Sequence, residues 1–124
     1  MRTMRHPKLG ELQWADEGWW EGEAPVKGGE LPFAVKGDKR GPDQELVTAL
    51  SATLSKWPEL LKKTKVFLTS SDFGHAVDGV AMLAIVFLST PQHFAIDFMH
   101  EDDEEAVWKL EFENGEPKQL SRDD

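Results

Sequence analysis

Hydrophobic and polar positions alternate through the first third of the chain with the period of two that a half-buried strand imposes. Leu12 and Trp14 alternate with Glu11 and Gln13. Ala15–Asp16–Glu17–Gly18 follows as a turn, where Gly18 can supply the positive φ of a tight reversal. Trp20, Gly22 and Ala24 then alternate with Trp19, Glu21 and Glu23, and after Lys27–Gly28–Gly29 come Leu31, Phe33 and Val35 on one face. Three strands joined by such short connections predict an antiparallel meander. Gly37 to Pro42, a run of turn formers and charges, closes it.

The period then changes. Val47, Leu50, Leu54, Trp57 and Leu61 keep helical spacing, and a helix is expected to open at Pro42 or Asp43. Pro58 lacks a backbone donor, so a break is expected near Trp57, with a second helix from Pro58 to about Thr69 burying Leu61, Phe67 and Leu68. Ser70 to Gly79 reads as a loop. Val80 to Leu88 is apolar on both faces, which predicts a central strand whose second face the helices cover. Phe94, Ile96 and Phe98 mark the next strand, and Glu101 to Glu104 a polar reversal. Ala106, Trp108, Leu110 and Phe112 mark another, and Asn114–Gly115 a hairpin turn into a short strand near Lys118 to Leu120. The fold class expected is α+β: one domain over residues 1–124, in βββ-αα-ββββ order, with a helix pair on one face of an antiparallel sheet. Residues 1–8 and 121–124 are expected to fray.

Charge adds an asymmetry to this frame. The net charge is −9. Residues 1–41 hold seven basic and seven acidic side chains, residues 42–79 four and five, and residues 80–124 three and eleven. The segments therefore sum to 0, −1 and −8, which concentrates acid in the last third and predicts an acidic face. Nucleic-acid binding is disfavoured, because phosphate contacts need clustered Lys and Arg. The longest apolar run, Val80 to Leu88, is about half of a membrane span, so no membrane partner is expected. Met1 to Leu9 is basic and polar with no apolar run behind it, and the cytoplasm is the expected compartment. Without Cys there is no thiolate chemistry and no disulfide framework.

Candidate chemistry is sparse. His93 and Asp97 share a strand face about 13 Å apart at ~3.3 Å per residue, too far for a hydrogen-bonded pair. Ser70, Ser71, Asp72 and His75 lie close in sequence but lack a nucleophile elbow, and turn formation is the expected role. His6, His75 and His100 show no ligand spacing. Glu101–Asp102–Asp103–Glu104–Glu105 offers the carboxylate oxygens that hard cations prefer but lacks an EF-hand pattern, so a solvated hairpin tip is expected. No catalytic residue, metal ligand or cofactor is assigned on this basis. Trp19–Trp20 is more informative, because alternation sends the two rings to opposite faces and one of them must avoid the core. An outward Trp is a natural interface anchor.

His6–Pro7–Lys8–Leu9–Gly10–Glu11–Leu12 through Trp14, followed by Gly18–Trp19–Trp20–Glu21–Gly22, resembles the opening of a group of small bacterial domains of unknown function. Those domains begin with an FGxLxW-like strand and an aromatic W-x-G strand, and end in hairpins with an F-x-N/D-G turn such as Phe112–Glu113–Asn114–Gly115. The first strand departs from the pattern, with Pro7–Lys8–Leu9 where an aromatic is common. Some of these domains are immunity-like proteins of polymorphic toxin systems, so the resemblance implies a non-catalytic fold. The expectation is a protein-binding module that caps a basic partner such as a toxin through Trp19, Trp20, Asp97, Glu101, Asp102, Asp103, Glu104 and Glu105. Two alternatives stand beside it. One is a small metal-assisted hydrolase built on His100 and the 101–105 carboxylates. The other is a self-associating structural protein in which an open edge strand pairs two copies; as to oligomeric state, a monomer or an edge-paired homodimer is expected.

Overall fold

The computed structural model describes residues 2–123, the Leu88 side chain excepted. Strands β1 (Thr3–His6), β2 (Gly10–Ala15), β3 (Trp19–Val26), β4 (Gly29–Asp38) and the short β5 (Gly41–Pro42) precede helices α1 (Gln44–Leu54) and α2 (Trp57–Ser70). A 3-10 turn at Val77–Gly79 leads into β6 (Val80–Thr90), β7 (His93–His100), β8 (Val107–Glu113) and β9 (Glu116–Asp123). Across the sheet the order is β1-β2-β3-β4-β6-β7-β8-β9, with β5 paired to β4 alone.

The mixed α+β class stands, with two helices between two groups of strands, but the strand count and pairing differ from expectation. A fourth long strand precedes the helices, because Thr3 to His6 pair with Gln13 to Gly10 rather than fraying. The Trp14 amide donates to Arg2 O at 3.0 Å, and Met4 packs against the core. At the other end β9 extends to Asp123, where Arg122 is bound to Asp103. Met1 and Asp124 lie outside the described residues. The sheet is also not wholly antiparallel: β4 and β6 run parallel, Phe33 opposite Ile85 and Val35 opposite Phe87. The helix pair is the cause, since a crossover through helices returns the chain to the end of the sheet it left.

Helix α1 opens on Asp43, whose carboxylate accepts from the amides of Glu45 and Leu46. Pro58 falls in the first turn of α2, where a missing donor costs nothing, so the break precedes Trp57. Helix α2 buries Trp57, Leu60, Thr64 and Leu68, whereas Leu61 and Phe67 are only half-buried. The face is turned from the one expected because Thr64, polar by type, is an inward residue whose hydroxyl donates to Leu60 O at 2.8 Å.

The buried faces of both helices and the inward side chains of the strands form one cluster: Leu46, Val47, Leu50, Trp57, Leu60 and Leu68 against Phe33, Val35, Ile85, Phe87, Ile96 and Leu110. Phe87, Phe94 and Phe112 stack in series across β6, β7 and β8, with ring centroids 5.0 and 4.8 Å apart. Strand β6 is central, as its apolar run implies. Its second face is not under the helices, however. Ile85 and Phe87 point inward and are fully buried, while Ala84 and Val86 face outward and are half-buried. A register shift between Met82 and Ala84 interrupts the alternation of the run. The helices cover one face of the sheet, and the other is left open.

Candidate functional site

That open face is built by alternation. In β2, Leu12 points inward, so Glu11 and Gln13 point outward; in β3, Trp20, Gly22 and Ala24 turn in and Glu21 and Glu23 turn out. Glu30, Pro32 and Ala34 are the outward residues of β4. Together with Ala84 of β6 they form a groove of about 570 Å³ with Glu11, Glu21, Glu23 and Glu30 on its walls. The floor is made of small side chains, so the backbone of the sheet is approachable from this side. Glu23 and Glu30 are in hydrogen-bond reach of one another, and that contact with their like charge raises the Glu23 carboxyl above its ordinary 4.5.

The face continues over β7 and β8. Asp97 lies opposite Ala84 on one side and Lys109 on the other, and Glu111 lies opposite Ala95. His93 Nε2 approaches Glu111 Oε1 at 3.3 Å. Burial raises the Asp97 carboxyl and the Lys109 ammonium only partly offsets it. Asp97 Oδ1 is buried and has no hydrogen-bond partner among the described residues.

The tryptophan pair divides. Trp20 is the inward ring, 2% exposed, with its Nε1–H donated to Asp38 O at 2.8 Å. It is a core residue and offers no surface to a partner, which removes it from the anchors expected. Trp19 is the outward ring, half-buried, with the Lys36 ammonium 4.4 Å from its centroid. The acidic run divides too. Glu101, Asp102, Glu104 and Glu105 are exposed at the β7–β8 turn. Asp103 is not free: its two oxygens accept from Arg122 Nε and Nη2, both at 2.8 Å, and Oδ2 also accepts from Trp108 Nε1 at 3.0 Å. Arg122 holds the Asp103 carboxyl well below its usual range, at about 2.

His100 is buried, 1% exposed, at the inward end of β7. Its Nε2 lies 2.6 Å from Ala76 O, which can only accept, and its Nδ1 accepts from the Asp102 amide at 3.0 Å. The ring is therefore the neutral Nε2–H tautomer. Gly79 leaves room for it, since a Cβ there would fall 2.6 Å from His100 Nε2. His75 stacks on His100 with centroids 4.7 Å apart, and Phe73 and Trp108 stand edge-on to the pair.

Sequence reasoning missed two groupings. The first-third glutamates share a face with Asp97 and Glu111 because β4 and β6 are neighbours, and strand alternation alone could have placed them outward. The His75–His100 contact joins a loop to a strand end and carries no sequence signal. Family models, curated proteins and solved structures provide no match to this chain. Among the described residues no helix is long and apolar enough to cross a membrane.

Proposed function

We propose that this chain is a non-catalytic protein-binding module that receives a basic polypeptide on the open face of its sheet. The observation that carries the reading is the groove over β2, β3, β4 and β6, where Glu11, Glu21, Glu23 and Glu30 stand around a floor of Pro32, Ala34 and Ala84. Carboxylates at the rim steer a cationic partner, and the small floor admits its aliphatic stems. Trp19, at the start of β3, and Asp97, on β7, belong to the same face and extend it beyond the groove. The Glu101–Glu105 turn is an acidic tip that adds long-range attraction. In its sharpest form the partner is a basic toxin and the chain its immunity-like antidote, as the resemblance of the opening strands implies. A cytoplasmic setting fits that role.

Affinity capture from the native host tests this with the full chain and the charge-reversed variant E21K/E23K/E30K, three exposed positions. A basic protein retained by the wild type and lost from the variant is the expected outcome. Equal capture by both would contradict the assignment of the face.

A further inference from the structure

We infer that His75, His100 and Asp102 form a binding site for a divalent transition metal ion, Zn²⁺ foremost. One ligand atom from each lies within 4.8 Å of the others. A four-coordinate ion with bonds of about 2.0–2.2 Å needs its donors roughly 3.3 Å apart, so closure takes shifts of up to about 1.5 Å and a rotation of the His75 ring out of its stack on His100. Two of the three residues can make them. Asp102 has a side chain 72% exposed at a turn, with Oδ2 already 4.0 Å from His100 Nδ1. His75 lies in the segment between α2 and the 3-10 turn and is half-buried.

His100 supplies the fixed ligand. Its Nε2–H is donated to Ala76 O, and Gly79 seats the ring. That is the arrangement in which the second nitrogen keeps its lone pair, and a backbone carbonyl behind a ligating imidazole fixes the tautomer that metals need. The lone pair on Nδ1 points to Asp102, whose amide now occupies it at 3.0 Å. Metal entry replaces this one hydrogen bond with a coordinate bond, so the Asp102 amide turns away while its exposed carboxylate swings in. Phe73 and Trp108 wall the imidazoles, which lowers the local dielectric and strengthens attraction between cation and carboxylate. Two imidazoles and one carboxylate, with no thiolate in the chain, select borderline ions over Ca²⁺ and Mg²⁺. The fourth position is left to water. Asp103 stays outside the set, held by Arg122 and Trp108. The bound ion would pin the segment after α2 to the β7–β8 turn.

Calorimetric titration of the full chain with Zn²⁺, and with Co²⁺ followed by its visible d–d absorption, tests the site. His100→Ala risks unfolding the β7 end, so the informative variants are His75→Ala and Asp102→Asn, checked for retained fold by circular dichroism. Saturable binding of one ion, abolished by His75→Ala and weakened about 10-fold or more by Asp102→Asn, is expected. Co²⁺ should also quench the fluorescence of Trp108, whose ring lies 6.0 Å from His75, and that quenching should vanish in Trp108→Phe. No saturable heat with either ion overturns the inference. Binding that survives His75→Ala but is lost in His93→Ala also overturns it, since the ion then sits at the His93–Glu111 pair.

Discussion

Asp97 lies within β7 and Asp103 in the turn that follows it, and their surroundings push them in opposite directions. Asp103 is ionised well below the ordinary carboxylate range because Arg122 grips both of its oxygens. A depressed carboxylate stabilises the fold above its unfolded value of 3.8 and loses that contribution as pH falls toward about 2. Asp103→Asn should therefore lower the urea midpoint at pH 7, with the gap to wild type closing between pH 3.8 and about 2. A gap that stays constant down to that pH would contradict the ion pair. Asp97 behaves in reverse. Burial favours its protonated form, so the folded state holds the proton more tightly than the unfolded chain does. The wild type then loses stability as pH rises through the folded value, and Asp97→Asn should be the more stable protein at pH 7 but not at low pH. Denaturation curves at the two pH values check this, and a variant less stable at pH 7 would sink it. The alternation of β3 was enough to say that Trp19 and Trp20 face opposite ways. The same alternation sets Trp19 with Glu21 and Glu23 and Trp20 with Gly22 and Ala24, and the ring on the apolar side is the one that faces the core.

The strands of the first third show how far element-level pattern carries. Leu12, Trp20, Ala24, Leu31, Phe33 and Val35 all turn inward as their period-2 spacing implies. Gly22 holds the inward place between Leu12 and Phe33, where a Cβ would lie 2.5 Å from Glu11 O and 2.7 Å from the Phe33 ring. Only hydrogen fits there, and the Phe33 ring fills the space. Gly22→Ala should cost about 1–3 kcal/mol of stability by overpacking. Thermal unfolding measures it, and a change within a few tenths would show that the strands can part. Elements with weak patterns are the ones that the sequence does not announce. Strand β1, with Arg5 and His6 in a run of four, has too little apolar character to announce itself and forms because β2 offers a free edge. Strand β9, Glu116–Asp123, is likewise exposed along most of its length and pairs with the free edge of β8. Helix α2 occupies the span that its spacing implies but is rotated about its axis, since a buried Thr64 satisfied by its own backbone looks like a surface position in sequence.

At the scale of the whole molecule, the sequence locates net charge in the last third, whereas the fold redistributes it. Residues 1–41 are neutral as a sum. Their acids nevertheless gather on the open sheet face at Glu11, Glu21, Glu23 and Glu30, while Lys8, Lys27, Lys39 and Arg40 sit at turns. The crossover that sets β4 beside β6 then joins this surface to Asp97 and Glu111. A segment-by-segment sum cannot anticipate that, because it depends on which strands become neighbours. The acidic surface is consequently broader than the β7–β9 hairpins, and its concave part lies beside them over β2, β3, β4 and β6. Steering by a field of this kind raises association rates by about 10-fold or more at low salt and fades as salt screens it.

The most direct test is an NMR titration of the isotopically labelled chain with a short extended peptide that alternates Lys or Arg with small apolar residues. If the groove is the binding site, the shifts concentrate on Glu11, Gln13, Glu21, Glu23, Ala34 and Ala84, weaken with added salt, and disappear in E21K/E23K/E30K. Shifts confined to Glu101–Glu105, or an unchanged titration in the variant, would contradict it.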